Sequence, residues 1–184
     1  VDFDGNVVES RDGFDINKNG TTVHRSIYKN IPEINCILHT HSHYGVAVAN
    51  LEQDLLLLDQ IAMMFYGKIG YHDFETLFIN DHQQHHLLHD MQGKYSMILK
   101  NHGLMSVGKS IEEAFWFHYY LETSCKLQVL TMSTGGKIKY PHSDAVKNTA
   151  DKYDLWRNKN DHLEVSDSEL LFDAAKRKIG YIFN

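Results

Sequence analysis

Apolar and polar positions alternate through Val1-Asp2-Phe3-Asp4-Gly5-Asn6-Val7-Val8 about an Asp-Gly-Asn turn, which predicts a β-hairpin at the very first residue. So abrupt a start predicts a chain that opens partway into a longer fold. Residues 9–20 are polar and glycine-containing, hence a loop, and Thr21 or Thr22 then caps a short helix to Asn30 with Val23 and Ile27 on one face. After Pro32, Ile34 to Leu38 reads as a buried strand and Ser42 to Leu51 as a helix of small apolar residues. Leu55 to Ile61 and Met63 to Gly70 each read as a strand or a strand with a loop.

In the second half, Asn80 or Asp81 caps a helix reaching Met91, which Gly93 ends. Tyr95 to Leu99 and Leu104 to Val107 are strands flanking the turn-like Asn101-His102-Gly103. Ser110-Ile111-Glu112-Glu113 has the spacing of a capping box. Ile111, Ala114, Phe117, Leu121, Cys125, Gln128 and Met132 then recur at threes and fours until Gly135-Gly136, which predicts a long core helix. Beyond Pro141 the pattern predicts helices over 144–157 and 167–178, with Ser166 and Glu169 at capping-box spacing. The chain thus reads as one domain over 1–184, lacking its N-terminal part, with a helical tail over 137–184 that serves as a docking arm or interface element.

Composition narrows the partners. The 18 Lys+Arg against 24 Asp+Glu leave a net charge of -6 with no basic cluster, which argues against nucleic acid. No apolar run approaches the roughly 18 residues of a membrane span, and the start is no signal peptide. Cys36 and Cys125 lie far apart within apolar segments and read as reduced, buried thiols of a cytoplasmic protein, with a single bridge left open. A small-molecule or protein partner is expected.

The 13 histidines are the chemical anomaly. His39 and His41, at i and i+2 on a strand end, leave the same face and could share one metal, or could be ordinary hydrogen-bonded side chains. His102, before a glycine at a strand end, is the candidate third ligand, since three protein donors with one open position suit catalytic zinc. His43 is placed at the rim and His24 behind the ligands; Asp73 is expected to orient His72, and His118 to be hydrogen-bonded or half exposed. His82, His85, His86 and His89 have helical spacing, but no carboxylate stands between them as in a metal-binding helix, which predicts a solvated face prone to adventitious metal.

The stretch from Ile31 to Ser42 through His39-Thr40-His41, followed by Met97 to Leu104 through Asn101-His102-Gly103 and by Ser110 to Phe115, resembles the class II aldolase/adducin family. Asp4-Gly5-Asn6, His24 with Ile27-Tyr28, and Tyr71-His72-Asp73 match as well, the last being closer to the adducin-like branch. The resemblance implies an α/β fold, a three-layer α/β/α sandwich with a central, mostly antiparallel sheet. It also implies a divalent metal, usually zinc, held by His39, His41 and His102, and a homo-oligomer, tetrameric in members similar to fuculose-phosphate aldolase. For such members it implies cleavage of a phosphorylated ketose. One departure matters: the family's Ser-Ser-Glu triplet, which supplies a phosphate contact and the acid/base Glu, is matched by Lys18-Asn19-Gly20. The glutamate is absent and no residue is selected in its place, so the catalytic residue is left open. The readings carried forward are a metal-dependent carbon–carbon lyase on a small hydroxy-keto substrate, an adducin-like non-catalytic binding or oligomerisation module, and non-haem iron chemistry on the same three histidines.

Overall fold

The computed structural model describes residues 1–10, 16–75, 81–160 and 166–180. Helix α1 (Lys18–Asn30) leads into strand β1 (Cys36–Thr40), helix α2 (His43–Ala49), the single turn α3 (Gln60–Met63) and strand β2 (Ile69–His72). Helix α4 (Asp81–Met91), strands β3 (Ser96–Leu99) and β4 (Gly103–Gly108), and helices α5 (Ile111–Ser133), α6 (Ser143–Asn160) and α7 (Asp167–Ile179) follow. The sheet runs β1-β4-β3-β2, antiparallel except for the parallel β2–β3 pair. This is the mostly antiparallel sheet that the sequence led us to expect.

Strand parity sends alternate residues to two cores. Ile98 and Leu104 face α2 and α5, where Val48, Phe117, Leu121 and Cys125 are buried. Met97, Leu99, Met105 and Val107 face α1 and α4, against Ile27, Leu87 and Met91. Each large apolar side chain buried in this way contributes about 1.5–3 kcal/mol, so two filled faces hold a sheet of strands only four to six residues long. The result is the helix–sheet–helix layering. Within the C-terminal segment, α6 packs on α3 and α7 on α5.

Local chemistry explains where the expected elements differ. The opening residues form a tight turn in place of a hairpin: the Asp2 carboxylate accepts from the amides of Asp4 (2.9 Å) and Asn6 (2.8 Å), which curls the backbone away from a ladder. The predicted loop over 9–20 lies partly outside the described residues, at 11–15, and its end is helical. Asn17 rather than Thr21 or Thr22 caps α1, its side chain accepting from the Gly20 amide at 3.2 Å. Between Leu55 and Gly70 one turn, α3, and the strand β2 replace the two expected strands; Asp59 caps α3 through the Ile61 and Ala62 amides. The Asn80 cap expected for α4 falls outside the described residues.

At α5 half of the expected capping box forms. Ser110 Oγ accepts from the Glu113 amide (3.3 Å), whereas the Glu113 carboxylate takes the Lys109 amide (2.6 Å) and pairs with Arg157 of α6. The complete reciprocal box is at α7, between Ser166 and Glu169. Cys36 and Cys125 are both free; Cys125 is buried as expected, whereas Cys36, on the edge strand β1, is only half-buried. No described helix is long and apolar enough to cross a membrane.

Candidate functional site

Register decides which histidines meet. His39 pairs with Met105, so its ring leaves the sheet on the α1/α4 face; His41 lies just past the last β1 pair, Thr40 with Leu104. The β3–β4 hairpin folds back through Lys100, Asn101 and His102, its tip held by the His102 amide donating to Leu99 O (3.0 Å) and the Asn101 amide donating to Ala49 O on α2 (3.0 Å). The left-handed conformation needed in this turn is taken by Asn101 (φ 56°), not by the glycine. Gly103 is required for another reason: a Cβ there would clash with the Thr40 carbonyl oxygen and lie 3.1 Å from His41 Cδ2.

The three imidazoles converge. Their ring centroids are 4.7–4.8 Å apart, and one ligand atom from each lies within 4.8 Å of the other two. Among the described residues this is the one such cluster of histidine, cysteine or acidic side chains. His39 Nδ1–H donates to Leu104 O at 2.9 Å, which leaves the Nε2 lone pair facing the centre. His39 Nε2 and His41 Nε2 are 3.0 Å apart, close to the about 3.3 Å between two nitrogens bound tetrahedrally at about 2.0–2.1 Å to zinc. The residues present therefore fit a divalent metal.

Electrostatics favour the same use. Burial pushes His39 down to about 4, partly opposed by its bond to Leu104 and reinforced by His102, His41 and His24. Burial, with His41 adding, also holds His102 below the ordinary histidine value. Neutral imidazoles are the form a metal binds.

On the other face of β1, Thr40 Oγ1 is 2.8 Å from His118 Nε2 of α5. Of the two expectations for His118 the hydrogen-bonded one holds, since the ring is buried and not half exposed, and burial followed by the charge of His39 lowers it to about 4. Both histidines take up protons more readily when unfolded, so their contribution to stability is fully present above about pH 6.5 and is lost as the pH falls toward 4. Urea denaturation of the metal-free protein is expected to show a midpoint that declines across that window, with a shallower decline in His118→Gln. An equally steep decline in the variant would remove His118 as a source.

The cluster opens on a cavity of about 300 Å³. Leu99, Met105, Leu87 and Val23 give it an apolar floor, and the Phe74 ring lies 6.3 Å from that of His102. His24 lines it, lowered by burial, while His43 is exposed at the start of α2. Lys100 also reaches the wall, but its ammonium is held by Leu51 O and the Asp54 carboxylate. Gly20, which the resemblance aligns with the acid/base Glu, lines the cavity without a side chain.

The partner of His72 was not legible in the sequence. Asp73, next to it, is exposed at the cavity mouth, and the carboxylate that holds His72 is Asp90 of α4, with Oδ2 2.8 Å from Nδ1. The available signal was phase: Asp90 flanks the Leu87–Met91 stripe of α4, so it sits beside the core and not on the wet face. On that wet face, His85, His86 and His89 are exposed, with His86 bound to Glu75 at 2.6 Å.

Comparison with known proteins agrees with this architecture. The profile of the Class II Aldolase and Adducin N-terminal domain family matches residues 1–129. Alpha-adducin of Rattus norvegicus is 33% identical over 138 residues, 74% of this chain and 19% of that protein. The chain thus corresponds to a limited part of that longer relative. An aldolase II superfamily protein from Pseudomonas syringae superposes with a TM-score of 0.85 at 27% identity, covering 97% of this chain and 69% of that one. The L-fuculose 1-phosphate aldolase from Glaciozyma antarctica superposes with a TM-score of 0.72 at 28% identity, covering 83% of this chain and 58% of that one.

Proposed function

Because the chain belongs to the class II aldolase and adducin family, we propose that it holds one divalent metal, zinc by the nature of its donors, at His39, His41 and His102, and acts as a carbon–carbon lyase on a small hydroxy-keto substrate. The observation that carries this reading is the convergence of three imidazoles, one oriented by a backbone carbonyl, at the wall of a cavity. A scaffold gains little from three imidazoles drawn together at the wall of a cavity, since each could satisfy its ring nitrogens separately with water or backbone.

A metal bound there supplies Lewis-acid polarisation of a carbonyl and charge stabilisation for the enediolate that carbon–carbon cleavage leaves. The protein's own groups do the rest. Leu104 O fixes the His39 tautomer, Gly103 lets β1 and the hairpin tip approach closely, and the apolar floor excludes water from one side of a bound molecule. In the same proposal the chain is one domain with 137–184 as its helical extension, and it assembles as a homo-oligomer. Leu130, Leu155 and Leu170, exposed on three helices, are consistent with further contacts.

The second reading, an adducin-like binding or oligomerisation module, is favoured by the 33% identity to alpha-adducin and by the lack of a side chain at Gly20. A panel of sugar phosphates and small hydroxy ketones separates the two. The lyase reading expects aldehyde release that a chelator abolishes and added zinc restores. Self-association without turnover of any member would sink it in favour of the module.

A further inference from the structure

We propose that His72, held by Asp90, is the proton-transfer group of this cavity, facing the three converging histidines across it; the proposal rests on the lyase reading above. The sheet places the two groups. His72 pairs with Leu99 across β2–β3, Leu99 pairs with Gly103 across β3–β4, and His41 follows one step beyond the pair of Thr40 with Leu104. His72, Leu99, Gly103 and His41 therefore form one row across the sheet. Three strand spacings separate its ends, about 14 Å between backbones. The middle of the row carries only Leu99 and a glycine, so the space between its end side chains is the cavity itself.

The state of His72 suits the task. It is 8% exposed, lines the cavity, and its Nδ1 lies 2.8 Å from Asp90 Oδ2. A carboxylate oxygen at that distance accepts from Nδ1–H, which leaves Nε2 as the ring nitrogen for proton transfer, as in carboxylate–histidine pairs that act as bases. Asp90 also lies 3.3 Å from the exposed His89 ring. Asp73 and Glu75 reach the cavity too, but both are exposed at its mouth and Glu75 is engaged by His86. Gly20, on the α1 side, offers no proton-transfer group.

The chemistry balances without another reactant. In retro-aldol cleavage, Nε2 takes the proton of the hydroxyl next to the scissile bond, and the O–H electron pair becomes the second bond of the aldehyde carbonyl. The carbon–carbon pair passes to the other fragment as an enediolate, and the imidazolium returns the proton to its carbon. Asp90 is a positioning residue, acting through the imidazole it orients.

The test uses the zinc-loaded chain with two probes: glycolohydroxamate, which imitates the enediolate, and dihydroxyacetone with its phosphate, whose carbon-bound hydrogens exchange in D₂O when a base removes them. His72→Gln is expected to slow exchange by about 10²–10⁴-fold with metal content unchanged. Long-range ¹H–¹⁵N spectra are expected to show His72 protonated at Nδ1 in the wild type. Asp90→Asn, the second variant should His72→Gln fold poorly, is expected to lose that tautomer preference and slow exchange, whereas a merely structural aspartate would change only the melting temperature. Exchange undiminished in His72→Gln, or a wild-type ring protonated at Nε2, overturns the dyad alone. A loaded wild type that neither binds the hydroxamate nor exchanges either ketone overturns the lyase reading and the dyad with it.

Discussion

Replacing His39, His41 and His102 together by alanine is expected to abolish stoichiometric metal binding, with elemental analysis falling from one zinc per chain to background. The background must first be lowered by replacing His82, His85, His86 and His89, because histidines at helical spacing on one helix collect metal adventitiously. Stability provides an independent reading. A ligand at a thousand times its Kd stabilises the folded state by about 4 kcal/mol, so zinc is expected to raise the melting temperature of the parent and leave the triple variant unmoved. The imidazoles hold the metal only when neutral, and burial keeps His39 and His102 so at neutral pH. Zinc retained at one per chain in the triple variant would rule out this site.

Gly103→Ala is expected to be the most damaging single substitution at the site, although it removes no functional group. Its Cβ would press on the Thr40 carbonyl oxygen, which is backbone and cannot rotate away, and would crowd His41 Cδ2 at 3.1 Å. Relief requires the hairpin tip to part from the end of β1, where Leu104 and Thr40 pair. Overpacking of this kind typically costs about 1–3 kcal/mol, more where backbone is involved. The same displacement spreads His41 from His102, so zinc affinity should fall as well. Urea denaturation and zinc titration of one preparation check both effects; a variant as stable as the parent would show that the tip has slack which its bonds to Ala49 and Leu99 do not suggest.

Elements whose pattern is local were legible in the chain. The threes and fours from Ile111 to Met132, with Ser110 in front, specify α5 within one residue of its observed end, because a helix is stabilised by contacts between near neighbours. The full box at Ser166 and Glu169 was legible for the same reason. Two local signals competed at the N-terminus and the weaker-looking one prevailed: alternation suggests a hairpin, but Asp2 captures the amides of Asp4 and Asn6 before any partner strand can pair. At α1, Asn17 takes the Gly20 amide and so draws the unpromising Lys18-Asn19-Gly20 into the helix.

By itself, then, the sequence determined every helix but the single turn α3, the pair of histidines that share a strand face, and the resemblance that joins them to His102. Convergence of those three rings was decided only by tertiary structure, since it depends on the β1–β4 register and on the close approach at Gly103. So was the pairing of His72 with Asp90, 18 residues away on another element. Sequence adjacency pointed to Asp73, but successive residues leave a strand on opposite sides, whereas a helix packed across the sheet can bring a distant carboxylate to the same ring.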